Sequence, residues 1–470
     1  MDVAILDLAE ALRTGNRVMA GDALGKLGAG PLDFVVPIVR AWMAADAGGD
    51  PVALLDAART DGLARRYIVE HRALLLIATR RTDEGLAAIR AQAALDGEPQ
   101  DLRTTAAMAL AARGQRSAAR DLLGEDAAQT RIRKVRLGAA FGASRLFARL
   151  GSDLAGQNAE TLTIALMRAT LLLDPADDRS RLLLAEALKA DGAIDSALAT
   201  LASVPSGSPA YAAAQGERIR LIQARGEEKV ALDSAAARAA LPDAVPGDRQ
   251  LYADMLVEAG RDAEAATVYA QLLDRRDDAP DWTIHLQLGG APGRAGRWDQ
   301  ALPHLRRAVE LGPNQPVALN YLGYALVDRG QDVAAGRQLL ERASKLRPDD
   351  PSITDSLGWS YFRTGDNARA LPLLERAAQG NPASATINEH LGDAYWTAGR
   401  RFEARYAWRA AALHAEGEQQ ARIAGKLANG LTRNSPKVGN GVETSRWLGA
   451  RAQRRVAARD LTDQQRMAAP

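Results

Sequence analysis

PVALNYLGYALVDRGQDVAAGRQLLERASKLRPDD (316–350), PSITDSLGWSYFRTGDNARALPLLERAAQGNPAS (351–384) and ATINEHLGDAYWTAGRRFEARYAWRAAA (385–412) are three consecutive copies of one pattern. Leu-Gly recurs as Leu322-Gly323, Leu357-Gly358 and Leu391-Gly392, and a lone glycine follows seven residues later at Gly330, Gly365 and Gly399. An alanine-rich apolar stretch comes next, closed by Pro348 and Pro382 in the first two copies. Self-similarity at this period predicts stacked helical hairpins.

The middle copy gives the physical cause. Leu357, Gly358 and Tyr361 fall on one face of a first helix. Gly365 ends that helix, because a left-handed residue after a helix costs least as glycine. Ala370, Leu374 and Ala377 line a second helix, and Pro382 stops it. Gly358 and Ala370 let the paired helices approach closely, and Ala377 does the same towards the next unit.

Working outward, the helix-ending glycine recurs at Gly399, Gly365, Gly330, Gly296, Gly260, Gly226 and Gly192, spaced 34, 35, 34, 36, 34 and 34 residues apart. Asn158 lies 34 residues before Gly192, and Asn also tolerates the left-handed conformation. Gly114, Thr82, Gly48 and Gly15 continue the series at 44, 32, 34 and 33. The register predicts twelve hairpins in an all-α chain, the last seven well marked. Residues 1–177 read as degenerate hairpins, 178–416 as the regular array, 417–432 as a capping helix and 433–470 as a basic tail. Among the early hairpins, Leu8, Leu12 and Val18, then Ile38, Trp42 and Leu54, are expected in the core.

Two stretches break the pattern. The spacing of 44 spans RIRKVRLGAAFG (Arg131–Gly142), which reads as a solvated loop or extra helical turn, or as a basic binding patch. In the first helix of the 282–315 hairpin, Gly289, Gly290, Pro292 and Gly293 stand where helix should continue. Proline inside a helix costs about 3 kcal/mol and glycine roughly 1. A short or kinked helix is expected there, either a flexible joint or a defect absorbed by its neighbours.

Composition excludes several function classes. The chain has no cysteine, so disulfides, thiolate metal sites and cysteine nucleophiles are out. A net charge of +2 across 470 residues gives no bulk argument for nucleic acid. His71, His285, His304, His390 and His414 show no metal-ligand spacing. Gly21–Leu27 falls one residue short of a phosphate loop and has Leu where Ser or Thr is required. No nucleophile elbow occurs. The expectation is a non-enzymatic protein with no cofactor and no small-molecule substrate. No run reaches the length of a membrane span, and the first residues lack a signal-peptide pattern, so the sequence as written predicts a soluble, unexported chain.

In tandem, these motifs resemble the tetratricopeptide repeat family. Leu357, Gly358, Tyr361, Ala370, Leu374, Ala377 and Pro382 match its positions in order. So do Leu391, Gly392, Tyr395, Ala404, Trp408 and Ala411, with Glu416 where Pro is usual. The resemblance implies a right-handed α-solenoid whose first helices line a concave protein-binding groove. Carried onto this sequence, the groove positions are Asn320, Tyr324, Val327 and Asp328; Asp355, Trp359, Phe362 and Arg363; and Glu389, Asp393 and Trp396, with His390 adjacent. Those aromatics are read either as binding anchors or as packing between neighbouring first helices. Asn320, Asp355 and Glu389 stand where carboxylate-clamp members carry Lys, Arg and Asn. That departure favours a basic or mixed-charge partner.

The repeats over 282–415 also look like those of bacterial envelope lipoproteins. One such group is the adaptor of a carboxyl-terminal processing protease that degrades cell-wall hydrolases. This implies a scaffold or adaptor whose partners include such a protease and its substrates. It also implies a periplasmic or outer-membrane-associated place if a signal lies upstream, against a cytoplasmic one if the chain is complete. The alternative is an assembly or regulatory factor acting by self-association or through the tail. Residues 433–470 hold eight basic and three acidic residues, net +5, and read as a disordered tail or as a membrane- or nucleic-acid-binding element.

Overall fold

The computed structural model describes residues 1–431 apart from 59–61, 63, 97–99, 125–131, 275–280 and 295–296. The described residues form 25 α-helices and no strand. They divide into two compact units, one up to Arg225 and one from Gly226 onward. The expected tail, 433–470, lies outside the described residues.

In the first unit, α1 (Asp2–Thr14) pairs with α2 (Arg17–Gly28), α3 (Val35–Asp46) with α4 (Pro51–Asp56), and α5 (Ala64–Ala78) with α6 (Thr82–Asp96). Next, α7 (Gln100–Ala112) pairs with α8 (Arg116–Leu123), α9 (Ala139–Leu154) with α10 (Glu160–Leu173), and α11 (Asp178–Ala190) with α12 (Ile194–Ala202). Helix α13 (Tyr211–Ala224) follows. The second unit opens with α14 (Glu228–Ala239). Its hairpins are α15 (Pro246–Glu258) with α16 (Asp262–Asp274), α17 (Trp282–Arg294) with α18 (Trp298–Leu311), and α19 (Pro316–Asp328) with α20 (Val333–Leu346). Two more pair α21 (Pro351–Arg363) with α22 (Asn367–Gly380) and α23 (Ala385–Thr397) with α24 (Arg401–Ala412), and α25 (Gly417–Asn429) packs on α24.

The turn register holds at most predicted positions. Gly15, Gly48, Gly114, Gly192, Gly226, Gly260, Gly330, Gly365 and Gly399 all have positive φ, and Asn158 takes φ 56°. Gly296 lies outside the described residues. Thr82 is corrected: it opens α6, and the left-handed residue is Arg80, φ 68°. The N–H of Arg81 donates to Leu76 O at 2.8 Å, a helix-closing bond that needs a left-handed residue just before it whatever its side chain.

Small residues set the close approach inside each hairpin. A Cβ on Gly358 would meet Leu374 Cδ2 at 3.0 Å, and one on Gly392 would meet Trp408 Cδ1 at 2.3 Å. Ala370, Leu374 and Ala377 are fully buried, as are Ala404, Trp408 and Ala411. The irregular hairpin is corrected by the same rule. Helix α17 runs unbroken from Trp282 to Arg294, 13 residues, the length of α19, α21 and α23. A Cβ on Gly289 would sit 2.3 Å from Leu305 Cδ2. Gly289 is therefore the close-approach glycine of its hairpin, and its packing against α18 holds the helix.

The first unit departs from neighbour-only stacking. Helix α1 packs on α10, and α3 packs on α9. Trp42 of α3 is fully buried, with Phe141 edge-on at 5.7 Å and the Gly142 backbone close beneath it. Its indole N–H donates to His71 Nδ1 at 2.9 Å, and burial pushes His71 down to about 3. The Asp46 carboxylate accepts from the Ala139 N–H at 2.8 Å at the start of α9. Leu8, Ile38 and Trp42 are in the core as expected, but Val18 and Leu54 are exposed. In the insertion, residues 132–138 form no helix. Arg133 is ion-paired with Asp174 at 2.7 Å, and Arg145 bridges Asp174 and Asp177 at 2.7 and 2.8 Å, so Arg133 belongs to a structural charge network.

Candidate functional site

Three first helices, α19, α21 and α23, carry every groove residue expected from the sequence. Their starts are set locally. Pro316 and Pro351 occupy first-turn positions where no N–H is needed, and Asp350 accepts from the Ser352 and Ile353 N–H groups at 2.8 and 3.1 Å. The Ser384 hydroxyl accepts from the Ile387 N–H at 3.3 Å.

The residues fall into two groups. In the first, Trp359 Nε1–H donates to Asp328 Oδ1 at 3.3 Å, and Arg363 donates to Asp328 O at 2.9 Å. The Trp359 indole stacks on Phe362 at 4.9 Å and on His390 at 3.9 Å between centroids. His390 Nδ1 lies 2.9 Å from Asp355 Oδ2, and the Tyr324 ring lies 6.2 Å from the imidazole. Asp328, Trp359, Asp355 and His390 thereby link α19 to α21 and α21 to α23. Asn320, Tyr324, Asp328, Asp355, Trp359 and His390 are all buried, and Phe362 and Arg363 are half-buried. Burial pushes the Asp328 carboxyl up, against the pull of Arg363.

The second group joins α23 to α24 and α25. Glu389 Oε1 and Oε2 accept from Arg422 at 2.8 Å each, and Lys426 Nζ donates to Glu389 Oε1 at 2.6 Å. Lys426 also reaches Asp393 Oδ2 at 2.7 Å, and Trp408 Nε1–H donates to Asp393 Oδ1 at 2.9 Å. Burial works against the Glu389 carboxyl, but its bonds to Arg422 and the adjacent Lys426 charge overcome it and hold the group at about 2. Asp393 goes the other way: burial, aided by Glu389, raises it despite Lys426. Trp396 packs 5.3 Å from Trp408 and under Arg401.

The fold therefore brings Trp359 and Phe362 together but pairs Trp396 with Trp408. Asp355, Glu389 and Asp393, expected as a rim around the aromatics, are 0%, 1% and 3% exposed. Helix packing and the cations of α25 enclose the latter two. Arg422 and Lys426 were missed by sequence reasoning. The available signal was matched spacing: Glu389 and Asp393 are four apart on one helix, and so are Arg422 and Lys426 on another. Among the described residues no cluster of His, Asp and Glu could hold a metal ion, and no helix is long and apolar enough to cross a membrane.

Paired helices, close-approach small residues and a shared face on the first helices define an all-α array of helical hairpins. Residues 286–351 and 356–421 match the tetratricopeptide repeat family and are tetratricopeptide repeats. TPR repeat-containing protein PA4667 of Pseudomonas aeruginosa is 32% identical over 154 residues, 25% of this chain and 25% of that protein. Bacteriophage adsorption protein A of Escherichia coli K12 is 33% identical over 122 residues, 26% of this chain and 11% of that protein. The chain thus spans a quarter or less of the length of these curated relatives. Among solved structures, a tetratricopeptide repeat protein from Parabacteroides merdae is 14% identical, with 61% of this chain and 98% of that one covered at a TM-score of 0.39. Tetratricopeptide repeats in general serve as protein-interaction scaffolds.

Proposed function

We propose that the protein is a non-enzymatic scaffold whose first-helix face on α19, α21 and α23 takes up a basic or mixed-charge segment of a partner protein. One observation carries the reading: Asp328, Trp359, Asp355 and His390 form a single acidic and aromatic cluster that links three first helices, with half-buried Phe362 and Arg363 beside it. Interaction hot spots are enriched in Trp, Tyr and Arg seated in well-packed pockets, and Trp359 and Arg363 are of that kind. The resemblance of residues 282–415 to envelope adaptor lipoproteins extends the proposal to delivery of substrates to a carboxyl-terminal processing protease.

The test uses the full chain as bait against envelope and cytosolic fractions of the source cell. Phe362→Ala should weaken capture of a specific partner by about thirtyfold, the equivalent of 2 kcal/mol, with helical content intact. Phe402→Ala, on the exposed outer face of α24, serves as the control. Capture lost only in the Phe402 variant would overturn the groove reading. Absence of any such protease among the captured proteins would remove the delivery extension alone.

A further inference from the structure

All 13 residues of α19 are buried, as are Ile353–Tyr361 of α21 and Ile387–Ala394 of α23. The first helix α15 of the same unit, by contrast, keeps half-exposed positions along its length and Glu258 exposed. Among the described helices, its partner α20 and the flanking α18 and α21 pack most closely on α19, and His390 of α23 lies beside its Tyr324 ring. Helix α25 encloses Glu389 and Asp393 at one end of the face. Within the buried surface, Asn320 Oδ1 and Asp355 Oδ1 have no hydrogen-bond partner among the described residues. Buried acceptors of this kind call for a donor, since an acceptor left without one has lost its hydrogen bond to water with nothing in return.

The chain leaves α25 beside this face. A Cβ on Gly430 would strike the Trp396 ring, and Leu431 packs in the cluster that holds Tyr395 and Trp396. From there, residues 432–470 remain. They carry Arg433, Lys437, Arg446, Arg451, Arg454, Arg455, Arg459 and Arg466, with Trp447 their one aromatic. Even coiled at 1.5 Å per residue, such a segment reaches about 55 Å. Three first helices about 10 Å apart span roughly 20–30 Å.

We propose that the occupant of this face is the chain's own C-terminal segment, 432–470, whose guanidinium groups donate to the carboxylates and amide there. It competes with the partner for the groove. This deepens the proposed function by naming a regulator of the same face. A tethered segment acts at an effective concentration on the order of mM, so a partner segment in trans meets a strong competitor without any further device.

The absence of cysteine makes the test clean. In the full chain carrying Asn320→Cys, labelling by a thiol reagent should be slow. Adding Arg451→Glu, Arg454→Glu and Arg455→Glu should speed it by at least about tenfold, and exchange of the α19 and α21 amides with it. A synthetic 432–470 peptide should restore the protection. Equal labelling and exchange with and without the charge reversals overturns the proposal. So does protection that falls on dilution, which would assign the segment of a second copy. If the reversed chain loses its helical signal, a second measurement decides. Single cysteines at 446, 451, 455 and 459, each paired with Asn320→Cys, should give an intrachain disulfide at one position or more, and none at any overturns it. None of these readouts involves a partner, so failure to capture one leaves this result standing, and the reverse.

Discussion

The indole of Trp359 lies over the imidazole of His390, ring centroids 3.9 Å apart and planes 14° from parallel. The two rings come from adjacent hairpins, and each is tied to a buried carboxylate, Trp359 to Asp328 and His390 to Asp355. The stack is therefore part of what holds α21 to α23, whatever else the face does.

Trp359→Ala should cost about 3–5 kcal/mol in urea unfolding of the second unit, because it empties a buried ring site and strands a carboxylate. Trp359→Phe should cost much less. A loss under about 1 kcal/mol for the alanine variant would mean the ring is not core.

Lys426→Met should release α25. It leaves Glu389 and Asp393 buried beside each other with one cation fewer, and breaking such a group costs about 3–5 kcal/mol. Hydrogen exchange across Gly417–Asn429 reads it directly. Replacing both carboxylates as well, Glu389→Gln and Asp393→Asn, should return much of the protection.

Acid should act on the same helix. Glu389 is held at about 2, below its ordinary 4.5, so its contribution is fully present above pH 4.5 and is lost as pH falls through 2. Exchange in α25 should accelerate over that window, and Glu389→Gln should flatten the dependence. Persistence of full protection at pH 2 would contradict the assignment.

In the first unit the window lies higher. His71 is buried neutral with its pKa near 3 against an ordinary 6.5. Its folded value is depressed, so stability is complete above pH 6.5 and falls by about 1.4 kcal/mol per pH unit below it. Denaturant midpoints between pH 7 and 5 should show this slope, and His71→Gln should reduce it.

Three glycines separate three effects. Gly392→Ala drives a methyl into Trp408 and should cost about 1–3 kcal/mol. Gly399→Ala, at φ +82°, should cost about 1–2 kcal/mol from backbone strain alone. Gly425→Ala meets open space inside α25 and should stabilise by up to about 1 kcal/mol. Equal shifts for all three in denaturant midpoints would refute the distinction.

What the sequence determined by itself was everything carried by short-range rules. Helix-ending positions depend on residues a few places apart, and Asn158 was legible as a left-handed residue for that reason; the Leu-Gly and alanine faces were legible because their spacing repeats from hairpin to hairpin. One local feature was misplaced: Arg80 replaced Thr82 because a helix-closing backbone bond, and not residue preference, fixes where the left-handed residue falls. Tertiary structure decided two things. Helix α17 stayed whole because Gly289 meets Leu305 across the hairpin. The groove residues became a buried, linked surface because Trp359 reaches Asp328, His390 reaches Asp355, and Lys426 reaches Glu389 and Asp393 over separations of 31, 35, 37 and 33 residues. Such pairs have no energy until the hairpins stack. A carboxylate that reads as solvated in the sequence is then enclosed by cations, acceptors and rings that only the stacking brings to it.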